Sequence, residues 1–284
     1  MRVGDAIDDA ARRLGSRLEA QLLLAHAMSS ERVTLLAHPE REVTPAQEQA
    51  FAAVVERRAA AEPIAYVLGE REFYGRTFRV DRRALIPRPE TELLVDLGVE
   101  AVRRFGTTAV RVVEVGTGSG AVAICVALSV GCPVLAVLAT DVSYEALTLA
   151  RENAAGCAAR VEFAQMDLVE GLRGPIHVLL ANLPYVPDGR ELPSDVRDYE
   201  PHVAIYGGQR GTELIERLLQ DARRLLAPGG ELVVELDEEE QAQPIACLAR
   251  QLYPDASVTI HQDGGGYDRA VRVQRYLVET VRSA

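Results

Sequence analysis

The stretch Arg111-Val112-Val113-Glu114-Val115-Gly116-Thr117-Gly118-Ser119-Gly120-Ala121-Val122-Ala123-Ile124-Cys125-Val126-Ala127-Leu128 decides the fold. Its valine-rich opening, Arg111–Val115, reads as a buried strand, and the apolar run from Gly120 to Leu128 reads as a helix. The glycines between them let the backbone turn sharply and approach a ligand with no side chain in the way. Strand, glycine turn and helix open many nucleotide-binding sheets, so this unit alone does not name its ligand.

Downstream, the same alternation recurs. Strands are expected at Val134–Thr140, Val161–Gln165, His177–Ala181, Glu231–Leu236 and Ser257–Gln262, and helices at Tyr144–Asn153, Thr212–Leu226 and Glu240–Gln251. Apolar strands separated by helices predict an α/β domain, a mostly parallel sheet covered on both faces. Such sheets bind ligands at the carboxyl ends of their strands.

Upstream, Met1 to about Ala61 reads as helical. Leu14, Leu18, Leu22 and Leu23 recur at helical spacing. Thr44-Pro45-Ala46-Gln47 predicts a helix start, with Thr44 as cap, Pro45 in the first turn and Gln47 closing a capping box. Phe73–Val80 alternates as a strand or hairpin, and the prolines of Leu85-Ile86-Pro87-Arg88-Pro89-Glu90-Thr91-Glu92 hold the chain extended until a helix begins near Thr91. The expected organisation is a small helical domain over 1–75 and a larger domain over 76–284, with 76–92 as hairpin and linker. The helical domain reads equally as a stabilising lid or as a substrate-recruiting surface.

Three places carry chemistry. The first is the turn Gly116, Thr117, Gly118, Ser119 and Gly120. The second is a pair of acids: Asp141, followed by Val142, ends the next strand where a carboxylate can meet ribose hydroxyls, and Asp167, followed by Leu168, ends the third strand where one can meet an adenine amino group. The alternating glycines do not meet the Gly-x-Gly-x-x-Gly spacing of dinucleotide sites, and there is no Walker lysine. The third is Asn182-Leu183-Pro184-Tyr185, at the end of the fourth strand. An amide or exocyclic amine is a poor nucleophile because its lone pair is conjugated. The Asn182 side-chain oxygen and the Leu183 backbone carbonyl can accept its two N–H groups, which aligns the nitrogen with a methyl sulfonium and stabilises the charge that grows on it. Tyr185 can stack on the planar group. These residues predict methyl transfer from S-adenosylmethionine, leaving S-adenosylhomocysteine, to a planar nitrogen.

Composition excludes other classes. Of 284 residues, 48% are apolar and 26% charged, ordinary for a globular protein. No apolar run is long enough for a bilayer, so no membrane partner is expected. Met1 to Asp9 carries acids and lacks an apolar signal core, which predicts a cytoplasmic protein. Cys125, Cys132, Cys157 and Cys247 form no Cys-x-x-Cys pair, so no metal site is expected. The net charge of -11 disfavours a nucleic-acid partner. Arg71, Arg76, Arg79, Arg82, Arg83 and Arg88 nevertheless cluster, as a solvated face or a local recognition patch.

With these residues in view, the chain resembles the bacterial release factor glutamine methyltransferases (the PrmC/HemK type). The resemblance rests on Glu62–Gly69 with Glu72–Gly75, on Ile86–Glu92, Gly116–Gly120, Asp141 and Asn182–Tyr185. It continues through Val196–Pro201 with Gly207-Gly208, and Leu226–Gly230. It implies a Rossmann-like class I methyltransferase domain behind an N-terminal helical domain. It also implies that Gly116–Gly120, Asp141 and Leu168 contact S-adenosylmethionine. Asn182–Tyr185 would hold the glutamine of the Gly-Gly-Gln motif of class I peptide chain release factors. The chain departs from that pattern in three places. Leu183 replaces a proline, and the resulting Asn-Leu-Pro-Tyr is the form of ribosomal RNA adenine dimethyltransferases. Leu168 stands where an aromatic residue is common. Asp237-Glu238-Glu239-Glu240, an acidic helix start, follows Glu235-Leu236. Adenine N6-methylation of a nucleic acid and a degenerate cofactor-binding protein remain the alternatives.

Overall fold

The computed structural model describes residues 1–106, 109–131, 135–236 and 239–277. Cys132, the expected strand start at Val134, and Asp237-Glu238 lie outside these residues. The chain forms two compact units, Met1–Glu70 with Leu192–Tyr199, and Arg71–Glu191 with Glu200–Ala284. The expected boundary after residue 75 falls inside a hairpin, β1 (Glu70–Phe73) and β2 (Arg76–Arg79), whose strands must stay together to pair.

The first unit packs α1 (Val3–Leu14), α2 (Arg17–Ala27), α3 (Arg32–Ala37), α4 (Pro45–Ala59) and α5 (Ile64–Leu68) around Ile7, Leu23, Leu24, Leu35, Phe51 and Val55. The expected continuous stripe from Leu14 to Leu23 is broken. Gly15 takes a left-handed φ of 71° that ends α1, and Ser16 caps α2 by accepting from the Glu19 N–H. Leu18 is consequently exposed. At α4 both halves of the capping box form, with Thr44 Oγ1 accepting from the Gln47 N–H and Gln47 Oε1 from the Thr44 N–H. The segment Leu192–Tyr199, which contains α9 (Ser194–Tyr199), belongs to this unit, and the Tyr199 hydroxyl donates to the Ala60 carbonyl at 2.8 Å.

The second unit holds α6 (Glu92–Arg104), β3 (Val110–Val115), α7 (Ala121–Val130), β4 (Leu135–Asp141), α8 (Tyr144–Gly156), β5 (Glu162–Gln165) and β6 (Ile176–Ala181). After the excursion come α10 (Glu213–Ala222), β7 (Leu226–Glu235), α11 (Glu239–Leu252), β8 (Ala256–Gln262) and β9 (Asp268–Arg275). Among the described residues the sheet has seven strands in the order β5-β4-β3-β6-β7-β9-β8. The first five pair in parallel, and β9 is antiparallel to both neighbours. Apolar clusters fill both faces, one built from α10, α11 and the inner strands, the other from α6, α7 and the opposite side of those strands.

Two elements differ from expectation. The helix begun at Thr212 ends at Ala222, and β7 starts at Leu226 rather than Glu231, because its register jumps from Ile176↔Leu226 to Val178↔Glu231. That irregularity absorbs Pro228-Gly229-Gly230, which cannot sit in a regular ladder. Strand β9 was not expected. Its Arg272 breaks an otherwise apolar run and is buried against Glu231 at 2.7 Å and Glu100 at 3.4 Å.

The chain runs from β3 outward through β4 to β5, then returns to β6 on the other side of β3. This is the switch point of the sheet, where loops leaving adjacent strands diverge and open a crevice. The final pair in the β3–β6 register is Val115↔Ala181, so Gly116 and Asn182 leave the sheet side by side.

Candidate active site

The crevice above β3 and β6 is a cleft of about 350 Å³. Gly116 (φ 73°) and Gly118 (φ 55°) adopt the left-handed backbone that glycine tolerates. A Cβ on Gly116 would lie 3.1 Å from Leu183 Cδ2 and 3.3 Å from the Asn182 carbonyl oxygen, so the two loops touch there. Gly116, Thr117, Gly118 and Ser119 line the cleft. Gly120 (φ 84°) does not. It turns toward α8, where a Cβ would meet Ala150 at 3.0 Å, and its role is helix packing.

Two carboxylates support the glycine turn, Glu114 buried and Asp141 half-buried. Asp141 accepts from the Gly118 N–H and the Ser143 N–H, both at 2.9 Å, one on each oxygen. Each oxygen keeps acceptor capacity for a ligand hydroxyl. Burial raises the Asp141 carboxyl, against the pull of those N–H donors. Glu114 accepts from the Thr117 hydroxyl at 2.5 Å and the Ala123 N–H at 2.9 Å, and burial pushes its carboxyl up to about 8. Sequence reading passed over Glu114, although a lone acid in a strand of valines is the signal a buried functional carboxylate leaves.

Val142 and Leu168 line the cleft as apolar shelves, and Leu168 is held at φ 47°, a conformation a leucine rarely adopts. Asp167 lines it too, but its carboxylate is ion-paired with Arg217, another cleft residue. The acceptor expected for an adenine amino group is therefore shared with a guanidinium. Two carboxylates, a left-handed glycine cradle that is tight at Gly116, and apolar shelves fit a cationic nucleoside such as S-adenosylmethionine.

Asn182, Leu183 and Pro184 line the opposite side. Leu183 is buried and packs into the main core beneath Gly116, so the residue departing from the expected proline is a core residue. Tyr185 does not line the cleft. Its ring packs against the core, and its carbonyl accepts from Gln241 Nε2 at 2.9 Å. The Asn182 amide is anchored from behind: Nδ2 donates to Thr91 Oγ1 at 3.1 Å and to Glu235 Oε1 at 3.0 Å. The loop is also braced from below. Val186 N–H donates to the Ile205 carbonyl, Gly207 N–H to the Val186 carbonyl and Asp188 N–H to the Gly208 carbonyl. Gly207 lies so close that an added Cβ would be 2.2 Å from the Pro184 oxygen.

Glu200, buried, joins two rims of the cleft by accepting from the Ile86 N–H at 3.1 Å and from Arg88 at 2.5 Å. Arg83 pairs with Asp81 and Glu152, and Arg79 also reaches Glu152. Ion pairing thus occupies Arg79, Arg83 and Arg88 of the arginine cluster. Among the described residues no group of three or more His, Cys, Asp or Glu side chains could hold a metal, and no helix is long and apolar enough to cross a membrane.

Comparison with known proteins adds the following. Residues 5–69 match the family model described as the PrmC N-terminal domain, and residues 91–196 match the methyltransferase small domain. A release factor glutamine methyltransferase of Deinococcus radiodurans is 38% identical over 283 residues, covering 97% of this chain and 99% of that protein. One of Moorella thermoacetica is 39% identical over 286 residues, covering 97% and 99%. Among solved structures, a methyltransferase from Pyrococcus furiosus has a TM-score of 0.52 at 20% identity, covering 81% of this chain and all 100% of that one, a likeness in fold.

Proposed function

The chain belongs to the release factor glutamine methyltransferases, and from that membership we propose that the cleft at the switch point is its reaction site, with Asn182 and Leu183 as the groups that hold the accepting nitrogen. The enzyme is an S-adenosylmethionine-dependent methyltransferase acting on a glutamine side-chain amide of release factors. The observation that carries the site assignment is the register Val115↔Ala181, which brings Gly116 and Asn182 out of the sheet side by side, so close that a Cβ added to Gly116 would lie 3.3 Å from the Asn182 carbonyl oxygen.

Bound S-adenosylmethionine supplies an electrophilic methyl group on a sulfonium. Gly116–Ser119 and Asp141 would hold it from the β3 and β4 side, with Val142, Asp167 and Leu168 as the residues that would meet its purine. On the β6 side, Asn182 Oδ1 and the Leu183 carbonyl each accept one N–H of the glutamine amide. Two fixed acceptors orient the nitrogen and stabilise the positive charge that grows on it. Transfer of that methyl would leave the sulfonium's electron pair with sulfur, and the nitrogen would release one proton to water. No strong base is needed, because that proton becomes acidic as the bond forms.

We assign the substrate as the glutamine of the Gly-Gly-Gln motif of class I release factors, the helical unit as the surface that recruits them, and the cytoplasm as the compartment. Leu183 does not redirect this reading toward adenine. Its backbone carbonyl remains, and its side chain serves the core. The test is incubation with labelled cofactor and either a release factor or its Gln→Ala variant. Label is expected on the first alone; equal labelling of both refutes the assignment.

A further inference from the structure

An asparagine amide has nearly the same shape in two orientations, related by half a turn about χ2, which exchange oxygen for NH2. Only one orientation offers an acceptor to an incoming N–H. Something must therefore choose between them, and the groups behind Asn182 make that choice. We propose that Thr91 and Glu235 are positioning residues for methyl transfer, holding the Asn182 amide with its oxygen forward. The proposal rests on the reading of Asn182 as an acceptor.

The three groups close a ring. Asn182 Nδ2 spends one hydrogen on Thr91 Oγ1 and the other on Glu235 Oε1, and the Thr91 hydroxyl donates to the same Glu235 oxygen at 3.1 Å. With its proton committed to Glu235, Thr91 presents only lone pairs to Asn182. A flipped amide would set its oxygen against two acceptors. Thr91 is 5% and Glu235 2% exposed, so water cannot relieve that clash. The backbone explains why the groups meet. Strands β6 and β7 are parallel neighbours with Ala181↔Val234 in register, so Asn182 and Glu235 are the next residues on each. Thr91 arrives from the turn Pro89–Thr91, immediately before α6.

The arrangement defines the accepting group. A site that shows oxygen and hides NH2 accepts an N–H donor and rejects a group that offers only a carbonyl oxygen.

The test uses the full chain with a release factor and labelled cofactor, following kcat, KM for cofactor and thermal stability. Glu235→Leu removes the acceptor at similar size, and Thr91→Val does the same to the hydroxyl. Each is expected to lower kcat by about 10- to 100-fold, the usual effect of losing an outer-shell partner, with the cofactor KM within about twofold of the parent. Glu235→Gln keeps an oxygen in place and should turn over at least about tenfold faster than Glu235→Leu. A polarity exchange separates positioning from bulk stability. Asn182→Asp sets two carboxylates against each other and should lose turnover, recovering toward acid pH as they come to share a proton. Adding Glu235→Gln returns a donor opposite an acceptor, and the double variant should exceed Asn182→Asp by about tenfold or more near neutral pH. Parent-level kcat in Glu235→Leu and Thr91→Val, or a double variant no better than Asn182→Asp, overturns the proposal. Failure of the underlying reading looks different: Asn182→Ala itself would then turn over normally.

Discussion

Gly207→Ala places one methyl group where the structure has no room for it. The new Cβ would lie 2.2 Å from the Pro184 carbonyl oxygen, 2.6 Å from the Gly211 oxygen and 2.9 Å from the Pro184 carbonyl carbon. Ordinary contact begins near 3.4 Å, so the Pro184 peptide must retreat by about 1.2 Å. Both neighbours are backbone, and neither can rotate away as a side chain would. Pro184 follows the two residues assigned to hold the glutamine, so the retreat displaces the acceptors themselves. A misplacement of about 1 Å at a reacting group costs about 100-fold in rate, and overpacking adds a stability cost of about 1–3 kcal/mol. Methyl transfer from labelled cofactor to a release factor, below the melting temperature of the variant, should show kcat reduced by about that factor. Cofactor affinity by calorimetry should stay within about threefold, because the glycine turn and Asp141 are untouched. Gly156→Ala is the control. It closes α8 with nothing within 4 Å of the added atom, so activity should be unchanged and stability higher by about 0.5–1 kcal/mol. Should Gly207→Ala fail to fold, Gly211→Ala applies the same push, 2.1 Å from the Tyr185 oxygen. A kcat within about twofold of the parent would show that the loop yields freely and that its bracing is irrelevant to catalysis.

Asn182→Ala should cut turnover by about two to three orders of magnitude with cofactor affinity retained, as loss of one oriented polar contact does, and single-turnover kinetics will read it. Glu114 gives a pH prediction. Its carboxyl is raised by burial to about 8 from 4.5, so between those values the folded chain binds more protons than the unfolded one. Its contribution is complete below pH 4.5 and is lost as pH rises through 8, by at most about 1.4 kcal/mol per pH unit. Glu114→Gln keeps an acceptor for Thr117 and Ala123 and removes the titration. Its melting temperature should gain on the parent as pH rises from about 4.5 to about 8 and level off above that, and parallel curves for the two proteins across that range would refute the assignment.

Much of the catalytic domain was legible because its signals are local. A valine strand, a glycine turn and an acid at the end of the next strand each lie within a few residues, and β3, Gly116–Ser119 and Asp141 appear where periodicity puts them. What was missed depends on distant segments. Thr91 and Glu235 are unremarkable in sequence and acquire meaning only when β7 packs beside β6. Gly207 enters the sequence reading only as part of a motif, and its packing role shows when the Pro184 carbonyl is seen against it. Gly120 and Tyr185 were misassigned for the converse reason. Their neighbours in sequence line the cleft, but α8 claims one and the core claims the other. Asp167 lines the cleft but was read without Arg217, which comes from α10, some fifty residues on. Strand β9 escaped because Arg272, buried on Glu231, looks like a surface residue until its partner is known.

The chain enters the helical unit twice, once over Met1–Glu70 and again over Leu192–Tyr199. The second visit begins ten residues after Asn182 and ends at Tyr199; the next residue, Glu200, fastens the Ile86–Arg88 rim with its carboxylate. The helical unit is therefore not a detachable cassette. A cut after residue 70 removes most of that unit but leaves α9 stranded in the middle of the catalytic chain, without the Ala60 carbonyl that Tyr199 binds. Grafting the unit onto another methyltransferase would need two splices, the second between Glu191 and Glu200, in the segment that follows Asn182–Tyr185.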